Sequence, residues 1–209
     1  MTMGTVTATI MVTAGTTATA MATDISSLLH LIWLASPALP VGGFSYSEGL
    51  EAAIDHGLVH DEATCTAWLR DQLLLTQARG DMAAIALAIP AWQALDEPRL
   101  KALSTWVLSS RESFEMRLQA EQMGRSLLDW ARNLQHASPE ALHLLTSLPP
   151  SYPMACALAL SGTGASLTDA LQAYAFGWCE NMTQAALNRL RKYRTKKVGY
   201  RPPAASGGA

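Results

Sequence analysis

Ser45 and Ser47 lie in Ser45-Tyr46-Ser47-Glu48-Gly49, one residue removed from the Gly-x-Ser-x-Gly elbow that exposes a nucleophilic serine. Acyl transfer is the chemistry such an elbow would support. Position 45 holds serine where the elbow needs glycine, and Pro37-Ala38-Leu39-Pro40 ahead of it cannot be the required strand. None of the five histidines stands out as the base. His56 and His60 are four residues apart, a spacing that puts two imidazoles on one helical face and suits a metal. Gly57 falls between them and most naturally ends a helix begun near Ser47, which breaks the shared face. Asp55 and Asp61 leave a weak surface site conceivable, but Cys-x-x-Cys and His-Glu-x-x-His are both absent. Gly162-Thr163-Gly164 lacks the lysine, third glycine and preceding strand of a phosphate loop, and reads as a helix-ending turn. No catalytic, cofactor-binding or metal-ligating residue is assigned and no cofactor is expected, while a hydrolase using Ser45 or Ser47 stays open as a minor third reading.

Charge supplies a further candidate. Up to residue 188 the chain has eight basic and 17 acidic residues, net −9, and the last 21 residues carry +7. Arg189 to Arg201 also includes Tyr193 and Tyr200, which suit stacking on bases, so a small helical nucleic-acid-binding protein is the alternative reading. An acidic body repels phosphate, and such a run is more often a solvated end.

The elements that position these residues read as helices. The chain has 209 residues, 49% hydrophobic and 15% charged, enough for one sizeable core. Three cysteines, Cys65, Cys156 and Cys179, build no disulfide framework and suit a reducing compartment. From Asp24 the apolar periodicity is helical, without convincing strand alternation. Asp61 caps a helix through Arg79 with Trp68, Leu69, Leu73 and Leu75 on its apolar face. Pro98 suits a first turn near Glu97, Ser138-Pro139-Glu140 starts another helix, and Ser166 with Asp169 opens a long one past Glu180. Leu148 to Pro153 reads as a rigid loop. The charge-free stretches 25–47 and 141–168 are broken by Pro and Gly, so they read as buried segments rather than membrane spans. Residues 1–23, with nine threonines and no charge, read as a disordered tail or the product of a start placed too early. The expectation is an all-α protein of roughly eight to ten helices: a tail over 1–23, one domain over 24–188, and a basic, flexible tail over 189–209.

The densest motif runs from Ser36 to Glu51, with two prolines, adjacent glycines, and aromatic and hydroxyl residues ahead of a helix. Phe44 and Tyr46 either plug the core or shape a rigid docking surface, and the residues alone leave these about even. Residues 34–51, Leu-Ala-Ser-Pro-Ala-Leu-Pro-Val-Gly-Gly-Phe-Ser-Tyr-Ser-x-Gly-Leu-Glu, closely resemble the N-terminal signature of the urease accessory protein UreF family. The resemblance continues through Arg79-Gly80-Asp81, Ser110 to Arg117, Met123-Gly124, Tyr152-Pro153 and Tyr174 to Asn181, covering roughly residues 25–187.

That resemblance implies an all-α, non-catalytic scaffold. It would dimerise and act in the cytoplasm with UreD (also called UreH) and the GTPase UreG to deliver nickel to apo-urease. It implies no membrane and no nucleic acid. By resemblance, Phe44, Ser45, Tyr46, Ser47, Glu48 and Glu51 are candidates for the docking surface. Arg111, Glu112, Glu115 and Arg117 are candidates for a polar interface or passage, although pairing of the acids with neighbouring arginines along the helix is the simpler account. From Asn188 the chain departs from the family's Pro-Leu-Gly-Gln-like continuation and final helix, a region that the resemblance implicates in recruiting UreD and UreG. The expected outcome of an anisotropy titration with nucleic acid is no binding even at low ionic strength. Binding that falls steeply as salt rises would instead support the basic-tail reading.

Overall fold

The computed structural model describes residues 25–43, 48–134 and 137–199. Nine α-helices and no strand occur among them. Helix α1 spans residues 25–35. It is followed by α2 (Leu50–Asp55), α3 (Glu62–Asp71), α4 (Asp81–Gln93), α5 (Glu97–Ser109) and α6 (Phe114–Leu134). The last three are α7 (Pro139–Ser147), α8 (Tyr152–Ser161) and α9 (Leu167–Gly199).

Local chemistry explains the helix starts. The Asp61 carboxylate accepts from the Thr64 N–H at 2.8 Å while the Thr64 hydroxyl receives the Asp61 N–H, a reciprocal cap. Asp96 caps α5 ahead of Pro98, and Ser138 caps α7 ahead of Pro139. Ser166 and Asp169 open α9 as their spacing predicts. Gly57 follows α2 at φ 76°, a conformation that favours glycine, and so terminates it between the two histidines.

The core forms around α8. Every residue from Pro153 to Leu160 is buried, and α4 packs on it through Ala84, Ala88 and Ala91, small residues that let two apolar helices approach. The Trp92 indole N–H donates to the Met154 carbonyl at 3.1 Å inside this contact. Helix α6 lies on the start of α8, where Gly124 leaves no room for a side chain: a Cβ there would sit 2.5 Å from the Ser151 carbonyl carbon. A second, smaller apolar cluster gathers Leu50, Ile54, Val59 and Cys65 against Ala186 of α9.

Four expectations need correction. Helix α3 does not continue regularly to Arg79: Gln72–Gln77 is a π-turn, marked by the Ala78 N–H donating to the Leu73 carbonyl at 2.8 Å. Leu75 lies within this wider turn and is 57% exposed, off the apolar face expected to continue from Trp68. The charge-free stretch from residue 25 is only partly buried: α1 buries Leu31 and Ala35 but exposes Ile25, Leu28, Leu29, Ile32 and Trp33. Tyr152 and Pro153 belong to the first turn of α8, which proline favours, rather than to the loop. Helix α9 runs through residue 188 to Gly199, so the basic tail does not begin at a helix end. Residues 1–24 and 200–209 lie outside the described residues.

Replacing Gly124 by alanine forces a methyl into the backbone of Ser151. The expected loss is about 1–3 kcal/mol, read as a lower urea midpoint at unchanged m-value; an unchanged midpoint would contradict the α6–α8 contact.

Candidate functional site

An all-α core satisfies most of its backbone within its helices, so a polar side chain drawn inside must find its own bonding partner there. Six do so around a cavity of about 90 Å³. They are Glu48 before α2, Gln77 of the π-turn, Asp81 at the start of α4, Arg111 between α5 and α6, and Tyr174 and Trp178 on α9. Tyr174 and Trp178 are four apart and therefore share one face of α9. The π-turn brings Gln77 inside, where it is 5% exposed.

The bonds run in sequence around the cavity. The Trp178 Nε1–H and the Gln77 Nε2–H both donate to Glu48 Oε2, at 2.9 and 3.0 Å. The Tyr174 hydroxyl donates to Gln77 Oε1 at 3.2 Å and lies 3.4 Å from Asp81 Oδ2. Asp81 Oδ1 accepts from the Arg111 guanidinium at 2.7 Å, with the two side chains only 15% and 19% exposed. The buried Arg111 Nε–H has no partner among the described residues. Breaking such a buried pair from one side costs about 3–5 kcal/mol, because the other charge stays behind unpaired.

Burial also sets protonation. Desolvation raises the Glu48 carboxyl above its ordinary value of 4.5, the Trp178 N–H bond draws it back, and the Asp81 charge raises it again. Burial likewise holds the Tyr152 and Tyr174 phenols well above their ordinary range, so both stay protonated. Tyr174 is thereby kept as a donor. The Cys156 thiol, buried in α8, is pushed up to about 12 and is no nucleophile at neutral pH.

The residues expected from the sequence fall in several places. Phe44, Ser45, Tyr46 and Ser47 lie outside the described residues. Glu48 is not the docking-surface acid that the motif suggests, because the Trp178 and Gln77 donors turn its carboxylate inward. Glu51 stays exposed on α2, 3.5 Å from Arg189 of α9, which also reaches Asp55 at 3.2 Å. The expected pairing near α6 is corrected too: Arg111 pairs with Asp81 of α4, and Arg117 pairs with Glu121 at 3.0 Å. Glu115 is exposed and bonded by its own backbone N–H and the Ser113 hydroxyl, which lower its pKa. Glu112 is exposed beside a shallow groove that also touches Glu48 and His56. His56 and His60 join no group of three metal-ligating residues among the described ones. Sequence reasoning missed Gln77, Asp81, Tyr174 and Trp178 as members of one cluster. The available signal was a single acid, Asp81, heading the otherwise uncharged helix α4.

The family model for UreF matches residues 59–191. A urease accessory protein UreF of a Polaromonas species is 59% identical over 162 residues, covering 78% of this chain and 70% of that protein. Its counterpart in Methylibium petroleiphilum is 58% identical over 167 residues, 79% of this chain and 70% of its own length. The chain belongs to the UreF family. Relatives in this family are named as accessories to urease rather than as enzymes. A bifunctional UreEF protein of Bordetella bronchiseptica is 43% identical over 185 residues, 85% of this chain and 42% of that longer protein. The UreF match contains five of the six cavity residues, all but Glu48, and leaves the 34–51 motif outside its span. Among the described residues no helix is long and apolar enough to cross a membrane.

The raised pKa of Glu48 gives a pH signature. The folded chain holds this proton more tightly than the unfolded chain. The stabilising contribution is therefore complete below pH 4.5 and is lost as pH rises through the higher folded value. The side-chain amide introduced by Glu48→Gln stays neutral and can still accept both N–H bonds through one oxygen. Thermal melts should show the Tm of Glu48→Gln, relative to the unmodified chain, increasing as pH rises above 4.5. A difference that shrinks with pH would contradict desolvation as the dominant cause.

Proposed function

We propose that this chain is a cytoplasmic, non-catalytic scaffold for nickel insertion into urease. It assembles with UreD and the GTPase UreG on apo-urease, as a homodimer within the complex, and couples GTP turnover to metal release. Membership of the UreF family supports the urease connection.

The observation that carries the scaffold reading is the uncovered apolar face of α1. Ile25, Leu28, Leu29, Ile32 and Trp33 are 56–61% exposed on a single helix. Phe176 of α9, 62% exposed, continues this face across a groove that Leu28, Ile32 and Pro37 also line. A contiguous apolar strip of this kind marks a surface that another protein covers. Among the described residues the lining of the cavity around Glu48 contains no serine or cysteine, and the thiol of Cys156 is held protonated, features that favour assembly over chemistry.

Phe44, Ser45, Tyr46, Ser47 and Glu51 remain the proposed docking residues at the motif, with Tyr46 as the aromatic anchor. Glu112, Glu115 and Arg117 supply exposed charge beside Phe114, which is 72% exposed at the head of α6. This second patch suits the polar rim of the same assembly.

Size-exclusion chromatography with light scattering tests the reading, on the chain co-expressed with UreD and then mixed with UreG and GTP. One species containing all three proteins is expected. Tyr46→Ala and the double substitution Leu28→Glu with Ile32→Glu should each weaken assembly by about 2 kcal/mol, roughly 30-fold, without loss of helical circular dichroism. A folded chain that binds neither partner would refute the scaffold reading.

A further inference from the structure

The two apolar clusters share no residue. Leu50, Ile54 and Val59 close on Ala186, while the main core is built on α4 and α8. The main core reaches the polar cavity of about 90 Å³ through Met123 and Tyr174, whereas no residue of the smaller cluster lines it. The stretch carrying the smaller cluster is also bounded by irregular backbone at each end. Glu48 and Gly49 both have positive φ, 44° and 87°, ahead of α2, and the π-turn Gln72–Gln77 follows α3. A left-handed non-glycine residue persists only where its surroundings hold it, and π-turns inside helices recur at functional sites.

We propose that residues 48–71 form a separately opening lobe, latched to the body by the Glu48 side chain. The latch has two bonds to one oxygen, from Trp178 of α9 and Gln77 of the π-turn. Besides the latch, the lobe meets the body through the apolar seam of Leu50, Ile54 and Val59 on Ala186, and two exposed contacts of Arg189 with Glu51 and Asp55 add little, since surface ion pairs are weak. The charged and titratable groups around Glu48 come from every neighbouring element: Asp81 of α4, Arg111 before α6, Tyr152 of α8 and Tyr174 of α9. Five buried residues of the lobe and Ala186 of α9 make up the smaller cluster, a fraction of the main core, so the lobe opens at lower free energy than the whole molecule unfolds.

Opening has a definite structural effect. Glu48, Thr76 and Met116 line both the inner cavity and an outer groove of about 390 Å³, and together they form the wall between the two. Lifting the lobe withdraws Glu48 from that wall, joins the two spaces and admits water to the Asp81–Arg111 pair. The lobe is therefore a conformational switch that controls access to a buried ion pair, and it operates in the isolated chain whatever partners the chain binds.

Hydrogen exchange by mass spectrometry on the full chain tests this. Peptides from α2 and α3 are expected to exchange together, at least about 10-fold faster than those of α4 and α8. Glu48→Ala should accelerate the lobe by about a further 10-fold and leave α8 within about 2-fold, because a lost bond to a charged group acts locally. Glu48→Gln, which keeps an oxygen for both donors, should restore the original rates. If Glu48→Ala does not fold, Trp178→Phe carries the same contrast, removing one donor while keeping an aromatic ring. A single exchange rate for the lobe and α8 would overturn the proposal, as would equal acceleration of both. So would lobe rates that neither Glu48→Ala nor Trp178→Phe changes.

Discussion

The Asp81–Arg111 pair constrains more of this structure than any apolar contact does. Two opposite charges, each more than four-fifths buried, must stay together, because separating them strands a charge in low dielectric. Their pairing sets where α4 begins and where the chain must pass between α5 and α6. Tyr174 then sits beside Asp81, Gln77 beside Tyr174, and Glu48 beside Gln77, so α9, the π-turn and the approach to α2 take their positions from one ion pair. Apolar helices slide over one another at modest cost, whereas a bonded polar chain admits few arrangements. The alanines of α4 and α8 supply cohesion, and the polar chain supplies register.

Interior and exterior are partly inverted relative to an ordinary helical domain. Carboxylates, a guanidinium and an amide line the inner cavity, while isoleucine, leucine and tryptophan stand in water along α1. Each half has a physical cost, desolvation inside and exposed hydrocarbon outside, and neither is needed for a helical bundle merely to fold.

The sequence revealed what is decided locally. Asp61 with Thr64, Asp96 with Pro98, Ser138 with Pro139, and Ser166 with Asp169 act within one helical turn, and all four helix starts were legible. The family was legible from motifs in order along the chain. The π-turn was not, because Gln72-Leu-Leu-Leu-Thr-Gln77 fits an α-helix equally well and only the tertiary demand for Gln77 inside selects the wider turn. Glu48 looked like a surface acid because its partner Trp178 is 130 residues away. Absence of charge in residues 25–35 suggested burial, but an uncharged helix is equally what an interface requires, and sequence pattern cannot separate a core from a surface awaiting a partner.

Helix α9 joins these parts mechanically. Its 33 residues make an unbroken rod of about 50 Å. Tyr174 and Trp178 hold it at the polar cluster and Ala186 at the smaller apolar cluster. If the smaller cluster lets go of Ala186, the rod becomes a lever pivoting at Trp178. A tilt of about 5° at Trp178 carries the backbone at Gly199 through roughly 3 Å, since about 31 Å of helix separates them. Small rearrangements around a cavity that holds only a few water molecules are thereby converted into displacements as large as an atom at the far end of the molecule.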